Sequence, residues 1–515
     1  MKTLVPARTA RRWWLSAAAL ALVTACSAAP AGPAPAAAAP DGADTAPLRV
    51  VAAGSPTAST LDPHGSFANE ADAVRAALVY DPLTRPDGRG GTQPALAESW
   101  QADPDLRTWT VTLREGVTFS DGRPVRAADA LYSLQRITAK AAENFGRLAE
   151  VDTTASTAPD DRTLRLVLRA PNAGLPQALE AVSMVVPEGS ADFTAPVPGS
   201  GPYTITGTDA QTTVLTRNED WWGPQPPSAT IELRAVPDLQ ARAAAVTSGQ
   251  ADFAGSVSPA AARAAEQSGT AQVVRRPGVT LYPLVMRLDT APFDRPQVRE
   301  AVKLAVDREQ LVQTVFLGLG SVGDDVLSPE VGPDGPQRPR DLARARALLA
   351  EAGFPDGIDV QLRSTTLYPG MDSTATLAAQ QLAEAGIRVE VVLEPADTYF
   401  TTVFASAPFY VSYYGGIPFT DIARVALVSQ SPANETAWRF PEWDAGFAAA
   451  LGTADDADRT TRLAELQRQV QTDGGYVVWG FGDGVDLAAD GVTGAPTGPG
   501  FSRLYLDQVA RGAQR

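Results

Sequence analysis

Between residues 357 and 395 the chain switches periodicity twice, and this restricts its choice of fold more than any other feature. "GIDVQLRS" sets Ile358, Val360 and Leu362 two apart, the spacing of one face of a strand. "STATLAAQQLAEAG" then puts Leu377, Ala378, Leu382 and Ala385 on one helical face, with Ser373 as the expected cap and Gly386 as the stop. "IRVEVVLEP" returns to the strand period. A strand, a helix and a strand this close together predict a βαβ unit with parallel strands. Upstream, "DLARARALLAEAG" predicts a helix that buries Leu342, Ala345, Leu348, Leu349 and Ala352 before Gly353. Asp307, with Gln310 three residues on, resembles a capping box. "DADRTTRLAELQRQV" is another amphipathic helix, feeding a strand "YVVWGF". The first half reads differently. Trp109, Val111 and Leu113 alternate with polar residues, as do Leu164, Leu166 and Leu168, and Ile231 and Leu233, with a "DG" turn at 121–122. The patterns predict an α/β fold with at least two lobes.

The N-terminus stands outside that fold. Lys2, Arg8, Arg11 and Arg12 flank or precede the apolar run "WWLSAAALALVTA", which is too short to favour a spanning helix. It ends in "LVTAC", which resembles a bacterial lipobox. That reading makes residues 1–25 a lipoprotein signal peptide and Cys26 the lipidated residue; the alternative is an ordinary cleavage nearby. "ARRWWL" leaves the Sec and twin-arginine export routes both open. Residues 26–47, rich in Ala, Pro and Gly, read as a flexible tether. Loss of residues 1–25 moves the net charge from −16 to −20. Such a surface disfavours nucleic acid and anionic lipid as partners. One Cys and one His exclude a Cys/His zinc site, so no metal or cofactor is expected.

The stretches "TLDPHGSFANEADAVRAALVYDPLT", "PALAESW", "TWTVTLREGVTFSDGRPVRAADALYSLQRI", "GSGPYTI", "LTRNEDWWG", "SGQADF", "APFDRPQVREAVKLAVDREQLV", "ARALLAEAGF" and "DGGYVVWGF" follow one another from residue 60 onward. In this order they resemble the extracellular solute-binding proteins of the dipeptide, oligopeptide and nickel ABC importers (family 5). The resemblance implies a periplasmic-binding-protein-like fold of type II (cluster C), with two α/β lobes, a smaller β-rich insertion and a hinged cleft. Lobe I would comprise 48–83, 197–281 and 491–510, lobe II 84–196, and lobe III 282–490. It implies a lipid-anchored binding subunit, held on the outer face of the cytoplasmic membrane. The subunit, expected to be a monomer, would deliver peptides or a peptide-like solute to a permease with cytoplasmic ATPases. Competing readings are a non-transport surface lipoprotein and a surface hydrolase. The hydrolase lacks support: there is no G-x-S-x-G, S-x-x-K or P-loop motif. The single histidine, His64, sits in "LDPHG", where Asp62 can accept backbone N–H groups in an Asx turn and Pro63 directs the chain. Trp100, Trp109 and Phe119 are expected to pack lobe II, and Trp221 and Trp222 to anchor a surface loop.

Ligand contacts are expected mainly in lobe III. Peptide-binding members carry there an aromatic, a short spacer and an Asp that pairs with the solute's α-amino group. The matching stretch here is "FYVSYYGGIPFTDIARV". Tyr414 takes the aromatic place, Gly415 and Gly416 follow, and Ile417 and Pro418 stand where the acid usually does; Asp421 comes later. This departure argues against free-amine recognition by an acid in the 415–418 loop. In "NETAWRF", Asn434, Trp438 and Arg439 are candidates, Trp438 for stacking and Arg439 for a carboxylate. The competing reading of each is ordinary packing or a solvated charge. Tyr399 and Phe67 complete the set. Tyr414 and Trp438 are expected to carry most of the affinity. Direct nickel binding is disfavoured, because His64 has no histidine partners.

Overall fold

Three sheets organise the chain in the computed structural model, which describes residues 46–512 except 56–58, 66–68, 141–146, 210, 332–336 and 397. The largest, of nine strands, grows around Leu48–Ala52. That strand pairs in parallel with Thr230–Ala235 and with Phe253–Ala254. It is apolar at nearly every position because both faces are covered: Leu48, Val50 and Ala52 enter one apolar cluster, and Val51 enters another. Gly480–Ala488 runs antiparallel to Phe253–Ala254 and to Gln272–Leu281, and Tyr414–Gly415 closes that edge.

The second sheet has five strands and contains the expected βαβ unit. Ile358–Ser364 and Ile387–Leu393 are parallel in register, Ile358 opposite Ile387, with the helix Met371–Ala383 between them. That helix starts earlier than "Ser373 as cap" predicts. Its N-cap is Gly370 at φ +104°, and the Thr374 hydroxyl and N–H both bond the Gly370 carbonyl. Only glycine takes that backbone conformation at little cost. Asp307 does cap its helix by accepting from Gln310 N, but its own N–H donates to Gln381 Oε1 instead of closing the box. The third sheet, Ala97–Ala102, Thr108–Leu113 and Thr163–Val167, is covered by the helix Ala127–Ala139. Trp109 and Phe119 lie in its core and Trp100 packs at the margin. Trp221 is buried, and the indole N–H of Trp222 donates to Asp81 at 2.8 Å. The pair therefore anchors its loop onto a buried carboxyl that burial pushes up to about 7.

"YVVWGF" is not one strand. Tyr476–Val477 belongs to the five-stranded sheet and Gly480–Ala488 to the nine-stranded one. A boundary at 490 between lobes III and I therefore comes too late for this strand. The chain also crosses between the two sheets at 282–283, after Gln272–Leu281, and at 412–413, after Phe409–Val411. The three crossings lie side by side. Ser412 N donates to Pro283 O at 2.9 Å, and Trp479 Nε1 to Tyr282 O at 2.7 Å. Rings fill the space between: Phe316 stacks on Trp479 at 4.7 Å, and Tyr282 meets Tyr413 at 6.0 Å.

Candidate ligand-binding site

The crossing at 412–413 sorts the tyrosines of "YVSYYGG". Tyr410 and Tyr414 both turn inward and donate to Glu435, Tyr410 at 2.8 Å. Tyr476 adds a third donor at 3.0 Å. Glu435 is fully buried, and burial raises its carboxyl while the tyrosine donors pull it back. Tyr413, between them, turns instead onto Tyr368, the rings stacked at 3.9 Å. It is only half-buried and stands within electrostatic reach of Arg503 and Glu70 on the nine-stranded side. That opposite wall carries Glu70, which accepts from Ser256 Oγ at 2.7 Å and lies 3.8 Å from Arg503. Beside it, Arg276 and Asp486 form a buried bidentate pair at 2.7 and 2.8 Å.

Residues 415–418 follow directly and are half-buried. Gly416 N donates to Val279 O at 2.5 Å, and a Cβ at Gly416 would collide with Gly278 O and Val279 Cα. Only glycine allows that approach. Ile417 packs against the apolar clusters of both large sheets. Pro418 starts the helical turn Phe419–Ile422, which runs into a π-helical turn, Ala423–Leu427. This stretch carries Asp421 and Arg424 against the small-sheet region: Asp421 lies 3.2 Å from Arg147 Nε, and Arg424 bridges Glu150 at 3.1 and 3.2 Å. The Arg147 guanidinium also sits 4.9 Å from the Phe501 ring centre. Elements of all three sheets thus converge on residues 413–424.

The other sequence candidates lie elsewhere. Trp438 is 3% exposed and packs on Phe440 and Trp443 inside the five-stranded core, so it presents no face for stacking. Asn434 spends its side chain on the Trp438 backbone, accepting from N at 2.9 Å and donating to O at 2.6 Å. Tyr399 is fully buried and donates to Val411 O at 2.7 Å. Arg439 is exposed. The Tyr414 hydroxyl is committed to Glu435. Phe67 and Cys26 lie outside the described residues. Sequence reasoning missed Tyr413, Glu435 and Arg147. The two-residue period through Tyr410 and Tyr414 was the available signal, since it sets Tyr413 apart.

His64 is a structural residue. Its Nε2 donates to Met184 O at 2.7 Å and Arg136 Nη1 donates to its Nδ1 at 2.7 Å, with the ring 4% exposed. Burial first, then Arg136, pulls the imidazole down to about 4. Asp62 accepts from His64 N at 3.0 Å, as the Asx turn requires. Although burial pushes its carboxyl up, bonds from Arg136 and Lys140 hold it at about 2. Among the described residues, no group of three or more His, Cys, Asp or Glu is arranged to hold a metal ion.

Three adjacent crossings join the two large sheets, and one loop touches both apolar cores at the seam, an architecture that suits a two-lobed binding protein. Comparison with known proteins places it further. The profile of "Bacterial extracellular solute-binding proteins, family 5 Middle" matches residues 91–434. The glutathione-binding protein GsiB of Escherichia coli (strain K12) is 30% identical over 434 residues, covering 80% of this chain and 84% of that protein. Two solved structures share the fold. One is DppA of Helicobacter pylori in complex with the peptide STSA (21% identity, TM-score 0.74, covering 90% of this chain and 98% of that one). The other is NikA of Brucella suis in complex with Fe(III)-EDTA (21% identity, TM-score 0.77, covering 90% and 99%). The chain belongs to family 5 of the bacterial extracellular solute-binding proteins. It is a binding protein, not an enzyme.

Proposed function

We propose that this chain is the lipid-anchored substrate-binding subunit of an ABC importer, taking peptides or a peptide-like solute in the cleft bordered by residues 413–424. The observation that carries the reading is the position of Gly415–Pro418, which touch both large sheets at the crossings; a solute held there would be felt by both. The 30% identity to a glutathione-binding protein supports a peptide-like solute. The loop lies against both large sheets, and Tyr413 offers an aromatic face. Delivery to a permease with cytoplasmic ATPases follows from the family's mode of action.

The direct test is native mass spectrometry of solute co-purified with the protein. A peptide-like mass supports the reading; a solute with no amide bond contradicts it. The recovered solute should also stabilise the fold, by about 2.7 kcal/mol at a hundredfold excess over its Kd. It should shrink the radius of gyration in solution scattering if the crossings act as a hinge. The anchor rests on "LVTAC". Acyl chains contribute about 0.8 kcal/mol per buried CH₂, so Cys26→Ser should release protein from the membrane or leave it unprocessed. Unchanged retention with a trimmed, unlipidated N-terminus would contradict it.

A further inference from the structure

The small-sheet region is inserted between two strands of the nine-stranded sheet, Leu48–Ala52 before it and Tyr203–Thr208 after it. It is tied firmly to that body. Arg136 Nη2 and Lys140 Nζ donate to Asp62 at 2.9 and 2.7 Å, His64 Nε2 reaches Met184 O at 2.7 Å, and Val185 N donates to Asp81 O at 3.0 Å. The chain never passes directly from the small-sheet region to the five-stranded sheet, whereas the two large sheets are joined by the crossings. A contact across this third boundary is therefore reversible.

Directed bonds nonetheless cross it, beside the Arg147–Asp421 contact. Arg424 holds Glu150 with both arms: Nε donates to Oε1 at 3.2 Å and Nη2 to Oε2 at 3.1 Å. Two parallel charge-assisted bonds fix direction as well as distance. The partners are 14% and 24% exposed, so salt and water screen them only in part. Glu150 is held ready for this pairing. Its Oε2 also accepts from Asn172 Nδ2 at 2.8 Å and its carbonyl from Arg169 N at 2.8 Å, while Asn172 Oδ1 accepts from Gly174 N at 2.8 Å. One residue on, Ala173 N donates to Leu451 O at 2.8 Å. Leu451 ends the helix Pro441–Leu451 in the core of the five-stranded body, where the last carbonyls have no intrahelical donor. The small-sheet region thus supplies a donor that this helix end lacks. Packing is close as well: a Cβ at Gly452 would lie 3.3 Å from Pro171 Cβ.

We propose that the Glu150–Arg424 pair and the Ala173–Leu451 bond form a latch, which closes the small-sheet region onto the five-stranded body and sets the balance between open and closed cleft. The proposal goes beyond the peptide reading: it needs the crossings to act as a hinge, and it holds for a solute of any class. When the two large sheets swing apart about the crossings, the small-sheet region travels with the nine-stranded body, and both bonds must break. Bonds made in one state and absent from the other are what bias such an equilibrium. Arg424 lies in the π-helical turn that borders the cleft, so solute and latch favour the same closed form. Removing the latch leaves the solute contacts in place but raises the open population, and the solute leaves faster.

Hydrogen exchange of the full chain, freed of solute by unfolding and refolding, reads the latch at the Ala173 amide. In the wild type that amide should be protected. Glu150→Gln and Arg424→Gln, one on each body, should each speed its exchange by at least roughly fivefold, and the double variant should go no more than about twofold beyond either. The ladder amides of Thr108–Leu113 should keep their wild-type rates, and solution scattering should show a larger radius of gyration in each variant. Arg424→Lys keeps the charge without the two-armed geometry and should fall between the wild type and Arg424→Gln. An unprotected Ala173 amide in the wild type, or unchanged exchange in both single variants, overturns the latch. So does faster exchange without expansion, which would mean local fraying. If Glu150→Gln loosens the small sheet itself, seen as faster ladder exchange, the Arg424 variants decide alone. The peptide reading stands or falls separately, on the co-purified solute.

Discussion

Two segments, 409–418 and 434–440, look alike as sequence: each mixes aromatic residues with polar ones in a stretch expected near the cleft. They end in opposite environments. The first leaves the five-stranded sheet at 412–413 and joins the nine-stranded one, so its side chains divide between a core and a seam. The second folds back on itself through Asn434 and sends Trp438 into a single core. A crossing between sheets creates a surface that two bodies share, and a closed turn does not. Aromatic content alone does not separate the two cases.

The largest expected effect separates them by stability. Trp438→Ala should destabilise the fold by about 3–5 kcal/mol, as removal of a large buried aromatic does. Denaturant unfolding checks this, and a loss below 1 kcal/mol would mean that Trp438 is not a core residue. Next comes a pH test of the tie between Asp62, His64 and Arg136. The folded His64 pKa near 4 lies below the ordinary 6.5, so the unfolded chain takes up the proton first. Its contribution, about 3 kcal/mol, is fully present above pH 6.5 and is lost as pH falls through 4. Asp62, also depressed, loses its contribution lower, as pH falls from its ordinary value through about 2. Urea titrations between pH 7.5 and 3.5 should show that loss in the wild type and much less of it in His64→Gln. A flat wild-type profile would contradict the buried neutral imidazole.

Glu435→Leu follows. It strips the acceptor from three tyrosine hydroxyls, so it should cost about 2–3 kcal/mol of stability through unsatisfied buried donors. An unchanged unfolding midpoint would show that the cluster holds nothing together.

The parts of this molecule that were legible in sequence are those whose cause is local. The βαβ unit at 358–393 and the helix cap Asp307 follow from period and capping chemistry within a few residues. The break in "YVVWGF" was not legible. Both halves are apolar, and only the partner strands decide that the chain changes sheets after Val477. Which of the two adjacent tyrosines faces the seam was not legible for a related reason. Their alternation is visible, but which face points to the seam depends on Glu435, which sits twenty-one positions from Tyr414. The ion pair of Arg424 with Glu150 joins residues 274 positions apart, beyond the reach of any local pattern.

The central claim is that the solute meets the seam through Tyr413 and the Gly415–Pro418 loop, and not through the aromatic core behind them. Its most direct test is the affinity of the co-purified solute for Tyr413→Ala and Tyr414→Phe, measured by calorimetry. Tyr413→Ala should weaken binding by about 1–2 kcal/mol, roughly ten- to thirtyfold. Tyr414→Phe, which removes only a hydroxyl committed to Glu435, should leave affinity within about twofold. The reverse result, with Tyr414→Phe losing tenfold and Tyr413→Ala binding as the wild type does, would contradict the account.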